Sequence, residues 1–473
     1  MNTKKRTRIS IGQLAAWGKA VTALPQSRLS APAGTVWMDS RKIAQGDIFV
    51  ALTSDTGNGH EYVQQVLAAG ATTAIVAKSE LKKFGPAIAK KLLVVDDPLK
   101  AVSRMAKAYR EYLDIPVVGV TGSSGKTTTR NLIARVLRSV YVTGETFTNW
   151  NNHIGVPLSI LRFGADTQAA VLEMGANHVG EIHPLSMIAQ PDIAVITNIG
   201  YGHVGLFGSL ANTLSAKLEI IDGMNRREGF LMVNGDDHRL VATAPKKMKS
   251  TLLYGFSDRC DIRAESISLN ARKKLSFEVD GTRYRLSVPA RHFVMSALPA
   301  IAMGMAFGIS RTQIVDAIES FQPVDMRGTV KKIGNVSYIV DCYNANPSSM
   351  EVSLDFLKDI SEPQHRVAVV GDMLELGSYS SRLHTHLGKQ LVARDIRCAV
   401  VVGEYAQQVV SAARAAGMNS DAITAVENAD AVWPVLSRMV QPGDFVLVKG
   451  SRGIKLEKVI EQAQSRMRSG RKK

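Results

Sequence analysis

Cysteine is scarce. Only Cys260, Cys342 and Cys398 occur in 473 residues, and none forms a CxxC pair. That argues against a disulfide framework or a zinc cluster and fits a reducing compartment. No stretch offers about 20 uninterrupted apolar residues, so no membrane-spanning helix is expected. A basic start does precede Ile9-Ser10-Ile11, but Gln13 and Lys19 interrupt the apolar run and no small-residue cleavage site follows, so a secretory signal is not expected either. A cytoplasmic, monomeric chain is the expectation. Acidic residues are also few, 42 against 58 Lys and Arg, for a net charge of +16. Such a balance points first to nucleic acid or an acidic membrane surface. Its distribution argues otherwise. Lys4, Lys5, Arg6 and Arg8 at one end, with Arg466, Arg468, Arg471, Lys472 and Lys473 at the other, supply nine of the sixteen excess charges. Like-charged ends of this kind are expected to be solvated and disordered. The body is left with +7, and no nucleic-acid partner is expected.

What is present is ordinary globular composition, 45% hydrophobic and 21% charged, in a chain long enough for two to four domains. Short buried-strand patterns alternate with helical ones throughout, which predicts an α/β protein with parallel sheets covered on both faces. Three units are expected. Residues 1–114 form a small α/β unit with strands at 47–52 and 73–76 and helices at 62–69 and 99–113. Residues 115–323 form a central unit of P-loop type, with strands at 117–120, 169–172 and 193–197, a helix at 126–137, a small antiparallel insert at 251–290, and closing helices near 293–307 and 311–320. Residues 324–473 form a Rossmann-like unit, with strands at 338–340, 367–370, 399–402 and 445–448. Pro323 to Gly328 is the expected hinge.

The strongest chemical signal is Gly119-Val120-Thr121-Gly122-Ser123-Ser124-Gly125-Lys126-Thr127-Thr128. Glycines let the backbone fold tightly so that its N–H groups and the following helix N-terminus surround phosphate oxygens. Gly122, Ser123, Ser124, Gly125 and Thr128 are therefore candidate nucleotide contacts. Lys126 would neutralise the outer phosphates, and the Thr127 hydroxyl would ligate Mg²⁺. Val120 stands where the strict motif has its first glycine, and an ordinary strand-turn-helix is the alternative. Glu173 directly follows a buried strand and is a candidate Mg²⁺ ligand, or else a cap for a helix starting near His178. His203 follows the next strand at the same end of the sheet, as a metal ligand or a structural histidine.

Three further runs carry a resemblance. Thr148-Asn149-Trp150-Asn151-Asn152-His153-Ile154-Gly155-Val156-Pro157, Glu173-Met174-Gly175-Ala176-Asn177-His178 and Asp341-Cys342-Tyr343-Asn344-Ala345-Asn346-Pro347 resemble the Mur ligases of peptidoglycan synthesis. The last run, with Gly371-Asp372-Met373-Leu374-Glu375-Leu376-Gly377 and Lys449-Gly450-Ser451-Arg452, is similar to the members that join D-alanyl-D-alanine to UDP-N-acetylmuramoyl-tripeptide. The Asp-Asn-Pro-Arg run of the diaminopimelate-adding members is absent. The resemblance implies an enzyme that uses ATP and Mg²⁺ to form an amide through an acyl phosphate. Its first unit would bind the UDP-sugar, with Ser40 and Arg41 as contacts. Lys126, Lys217, His203 and Arg327 would be catalytic, and Thr127, Glu173 and His203 would hold the metal. His292, Arg327 and Asp341 would complete the nucleotide site. Asn149, Asn151, Asn152, Asn344, Asn346, His384, Lys449, Ser451 and Arg452 would surround the acceptor and the incoming amine. Lys217 falls where several members carry a carbamylated lysine; the alternative is a plain ammonium paired with phosphate or Glu219.

Two departures accompany the resemblance. The adenine-side motif, His-Asn with a second Asn three residues on, is here His292-Phe293-Val294-Met295-Ser296, so Phe293 offers a ring to adenine but no amide. Ser54 and Asn58 replace the usual Gly and Asp in the first unit. Two rivals follow: the same chemistry on a different acceptor or amine, and a nucleotide-binding regulatory relative without turnover.

Overall fold

The structure, a computed structural model, describes residues 7–55, 57–225, 228–270 and 274–470. Lys4, Lys5, Arg6, Arg471, Lys472 and Lys473 lie outside the described residues, as does Thr56 in the Ser54–Asn58 loop. Three α/β sheets succeed one another along the chain. The first runs, in spatial order, Val21–Thr22, Leu92–Val95, Thr73–Ala77, Ile48–Val50 and Val36–Trp37. Only the pairing of Val21–Thr22 is antiparallel.

The central sheet is parallel throughout, in the order Ile262–Arg263, Thr251–Gly255, Phe230–Asn234, Ile193–Ile196, Val117–Thr121, Ala169–Glu173 and Thr143–Glu145. Val117–Thr121 thus sits between the strands that end at Glu173 and Ile196. The β-branched run is buried at every position, as a strand covered on both faces must be. The helix Lys126–Arg138 packs on this sheet through Leu132, Ile133, Val136 and Leu137, all fully buried. Each such side chain stabilises the packing by about 1.5–3 kcal/mol, which fixes the helix start against the strand ends. The antiparallel insert is smaller than the sequence pattern suggests. Thr251–Gly255 and Ile262–Arg263 extend the parallel sheet, and only Glu265–Leu269, Leu275–Val279 and Thr282–Leu286 form the separate antiparallel sheet.

The third sheet runs Thr329–Ile333, Val336–Val340, Phe445–Lys449, Arg366–Gly371, Cys398–Val402 and Ile423–Val426, parallel except for its first strand. Its strand ends deliver Asp341, Lys449 and Asp372 to one edge. In the predicted hinge, Met326 and Gly328 both have positive φ, at 60° and 79°. The basic C-terminus is not irregular as expected: a helix, Glu457–Gly470, includes Arg466 and Arg468. Val459, Ile460 and Ala463 are buried against the rest of the unit, so one apolar face holds it in place.

Candidate active site

At the carboxyl end of Val117–Thr121 the chain turns sharply into the helix that starts at Lys126. Gly122 has φ of 145°, and a Cβ there would stand 1.9 Å from Thr197 Oγ1, so the position admits only glycine. The loop is pinned from the neighbouring strand end: Ser123 N–H donates to Asn198 O at 3.0 Å and Ser124 N–H to Asn198 Oδ1 at 3.0 Å. Val120 is fully buried in the strand, paired in register with Glu173 and Val195, so the tight turn begins only after it. That explains why no glycine is needed at this position. Lys126 Nζ folds back to donate to Gly122 O at 2.8 Å. Burial pulls its pKa down; Glu173 opposes this, and Arg327 adds to it from the other side of the cleft.

Glu173 is 2% exposed. Asn151 Nδ2 donates to its Oε1 at 2.8 Å, while its Oε2 is buried with no hydrogen-bond partner and lies 3.8 Å from Arg130 Nε. A buried carboxylate oxygen without a donor, beside a threonine hydroxyl and a histidine lining the same cavity, suits a hard divalent cation. The helix that Glu173 might have capped begins at Ile182, and its N-terminus is capped instead by Glu219, which accepts from Gly180, Ile182 and His183 N–H groups. Glu219 forms no ion pair with Lys217. Lys217 is 2% exposed, its Nζ donates to Ala176 O at 3.4 Å and stands 5.0 Å from the centre of the Phe207 ring. Burial first, then the charge of Lys126, push its pKa down to about 7.

The third unit closes the other side of a cavity of about 430 Å³. Lys449 Nζ donates to Asp341 Oδ2 at 2.6 Å, and Ser353 Oγ donates to the same oxygen at 2.6 Å. His292 lies close to this pair, and burial drives its pKa down to about 4, so it is neutral at pH 7. Arg327 stacks over Tyr343, with Cζ 4.0 Å from the ring centre. The two units also touch beside His203. The Glu375 carboxylate lies against His203 Nδ1 outside hydrogen-bond geometry; burial lowers the His203 pKa while Glu375 opposes the shift, so the contact is an ion pair only when the imidazole is protonated. Gly205 N–H donates to Glu375 O at 2.9 Å, and a Cβ on Gly205 would stand 2.4 Å from Gly377 N. The cavity is thus walled by both units, a phosphate cradle with a buried carboxylate that has one oxygen lacking a hydrogen bond on one side and an Asp–Lys pair on the other.

The chain is similar to known proteins over almost all of its length. Residues 120–304 match the family described as Mur ligase middle domain, and residues 326–452 match Mur ligase, glutamate ligase domain. The UDP-N-acetylmuramoyl-tripeptide--D-alanyl-D-alanine ligase of Bacillus subtilis is 33% identical over 460 residues, covering 97% of this chain and 98% of its own length. The chain belongs to the Mur ligase family. Among solved structures, MurF from Acinetobacter baumannii superposes with a TM-score of 0.86 at 29% identity, covering 98% of this chain and all of that one. MurF ligase from Thermotoga maritima, solved in complex with ADP, superposes with a TM-score of 0.80 at 25% identity, covering 92% and 98% of the two chains.

In this Mur ligase the cleft brings together Ser123, Ser124, Gly125, Lys126, Thr127, Thr128, Asn149, Asn151, Glu173, His203, His292, Arg327, Asp341, Asn344, Asn346 and Lys449. Gly122 lies behind the cradle. Other expected residues are placed elsewhere. His384 is 1% exposed; its Nε2 accepts from Met373 N–H, its Nδ1 donates to Ser380 O, and its ring stacks on Tyr405. It therefore shapes the Asp372–Glu375 loop and is not at the cleft wall. Ser451 is buried, donating to Ala345 O and accepting from Leu374 N–H. Arg452 is exposed and pairs with Glu457. Asn152 caps the helix Gly155–Ile160 through Gly155 N–H. Ser40 begins a 3-10 turn, and Arg41 is solvent-exposed beside Asp39. Phe293 is 2% exposed and packed against His292 and Phe321, so its ring is part of the core, but it also borders the cavity on the His292 side. Asn58 fixes His60, whose Nε2 in turn accepts from Ala77 N–H. Three contributors were missed from the sequence: Asn198, which pins the loop; Arg130, one helical turn beyond Lys126; and Glu375, from the third unit. Only Arg130 had a usable signal, its i+4 spacing from Lys126.

Proposed function

We propose that this Mur ligase joins D-alanyl-D-alanine to UDP-N-acetylmuramoyl-tripeptide with hydrolysis of ATP to ADP and phosphate, a step of peptidoglycan precursor synthesis in the cytoplasm. One observation carries the reading: the phosphate cradle, Glu173 with an Oε2 that accepts no hydrogen bond, and the Asp341–Lys449 pair of another unit face a single cavity. The activity is the one named for the relatives.

The chemistry follows from the groups present. A carboxylate is a poor electrophile, so an oxygen of the tripeptide's terminal carboxylate attacks the γ-phosphorus of ATP, the bond to the bridging oxygen breaks, ADP leaves and an acyl phosphate is formed. The amine of D-alanyl-D-alanine then adds to the acyl carbon, and collapse of the tetrahedral species expels phosphate. Two anions approach each other in the first step, so fixed positive charge dominates catalysis. Lys126 and Arg327 supply it from opposite walls. Thr127, Glu173 and His203 would hold Mg²⁺, which would supply further positive charge toward the phosphates. Asn149 and Asn151 line the γ-phosphate side, and Asp341 with His292 forms the ribose and adenine side. Lys217, largely neutral for a lysine, is the residue proposed to take up CO₂ and present a carbamate to the metal region.

The test is phosphate release by purified protein with Mg-ATP. Release that requires both UDP-N-acetylmuramoyl-tripeptide and D-alanyl-D-alanine supports the reading. No release with both at saturation would overturn it in favour of a nucleotide-binding protein without turnover.

A further inference from the structure

An aromatic cluster joins the first unit to the loop that bears Asn149 and Asn151. Trp37, at the end of the edge strand Val36–Trp37, meets Phe147 edge-on with centres 5.8 Å apart and Trp150 edge-on at 6.1 Å. Phe147 and Trp150 meet each other at 4.9 Å. Arg162 closes the cluster: its Cζ stands 4.1 Å from the centres of both the Trp37 and Phe147 rings. Lys42, also from the first unit, stands 5.4 Å from the Trp37 ring. Arg162 Nη1 is buried without a hydrogen-bond partner. The ring faces therefore provide the nearest compensation for that end of the guanidinium, which ties Trp37 and Phe147 to a fixed position.

The loop held in this way leads directly to the metal carboxylate. Trp150 N–H donates to Phe147 O at 3.0 Å, and Asn151 N–H to Asn149 O at 2.8 Å. Asn151 O accepts from Gly175 N–H at 2.8 Å, while its side chain holds Glu173 Oε1 and leaves Oε2 without a hydrogen bond. A shift of the first unit at Trp37 moves Phe147 and Trp150, and through one residue it moves Asn151. A series of contacts, Trp37 to Phe147 and Trp150, then Asn151 to Glu173, therefore links the first unit to this carboxylate.

Building on the activity proposed above, we propose that Trp37, Phe147, Trp150 and Arg162 form a positioning clasp through which the sugar-nucleotide unit sets Asn151 on Glu173. Occupancy of the acceptor site and of the nucleotide site are then thermodynamically coupled, each tightening the other by the same factor. None of the four residues touches the reacting atoms. Their effect lies in the coupling and not in either site alone.

The experiment is calorimetric binding of Mg-ADP to the full chain, with and without saturating UDP-N-acetylmuramoyl-tripeptide. The wild type is expected to bind Mg-ADP at least about five-fold tighter with the acceptor present. Trp37→Leu and Phe147→Leu are expected to bring that ratio to within about two-fold of one, and Trp37→Phe to retain most of it. Trp17→Phe, in a separate aromatic cluster with Tyr109 and Tyr112, is expected to leave the ratio at the wild-type value. A merely structural role would lower stability or both affinities and preserve the ratio, which overturns the clasp. Wild type that binds both ligands without coupling also overturns it. Wild type that fails to bind the acceptor at all overturns instead the function on which the clasp rests. Should Trp37→Leu not fold, Phe147→Leu, which leaves the first sheet intact, decides the matter.

Discussion

Lys217 offers the sharpest physical test because burial is the main influence on its chemistry. The side chain is 2% exposed and makes one long hydrogen bond, to Ala176 O; among the described residues it forms no ion pair. Burial, with Lys126 adding like charge, lowers its pKa from 10.5 to about 7. At pH 7 about half of Lys217 is then the neutral amine, against roughly 0.03% of an ordinary lysine, an enrichment of about a thousand-fold in the only form that adds CO₂. The sign for stability follows. The folded protein gives up this proton near pH 7 and the unfolded chain only near its ordinary value. Stability from this group therefore rises with pH between those two points, and below about 7 both states carry the charge. The assay is a pH titration of ¹³C-labelled lysine side chains by NMR, with the Lys217 signal assigned by its loss in Lys217→Met. A midpoint near 7 is expected, together with a carbamate signal from ¹³C-bicarbonate that Lys217→Met lacks. A midpoint above about 9 would refute the reasoning, since it would mean that the site solvates or pairs the ammonium.

Three other outcomes are expected. Glu173→Gln keeps the shape and removes the charge, so phosphate release should fall at least about 100-fold with the thermal midpoint unchanged; near wild-type turnover would remove Glu173 from the metal site. Glu375→Gln weakens a contact that is half exposed on the Glu375 side, worth about 0.5–1 kcal/mol, so the closed arrangement should become about two- to five-fold less favoured and the radius of gyration with nucleotide should rise in small-angle scattering. An unchanged profile counts against that contact as a closure latch. Phe293→Ala removes a ring that is buried but borders the cavity, and should destabilise the protein by about 3–5 kcal/mol, visible as a drop of at least about 6 °C in the melting midpoint; a shift under about 2 °C would show that the ring is not core.

The parts of this enzyme that were legible in its sequence are those whose chemistry is local. The turn from Val117 through Lys126 needs glycines at fixed spacing, and the strand and helix around it are continuous patterns, so loop and fold class could be read together. The strands Thr143–Glu145 and Phe230–Asn234 were not anticipated, and Thr251–Gly255 was assigned to the insert, because three to five residues carry little periodicity and their place is set by neighbours in the sheet. Pairings across the chain were equally hidden. Lys449 and Asp341 lie 108 residues apart, and Glu375 meets His203 only because two units close on each other. His384 shows the converse: a motif position implied substrate contact, yet both ring nitrogens are spent inside the unit. The excess charge also changes meaning, since part of the basic C-terminus lies on a packed helix and Lys126, Arg327 and Lys449 face a cavity suited to polyanions.

The central claim is an amide made through an acyl phosphate in this cleft, and isotope transfer addresses it most directly. UDP-N-acetylmuramoyl-tripeptide labelled with ¹⁸O in its terminal carboxylate would be incubated with Mg-ATP, D-alanyl-D-alanine and the purified protein, and both products weighed by mass spectrometry. The account predicts a UDP-N-acetylmuramoyl-pentapeptide that has lost one ¹⁸O, with that atom recovered in inorganic phosphate. Phosphate free of ¹⁸O, or ATP consumed without the pentapeptide, would contradict it.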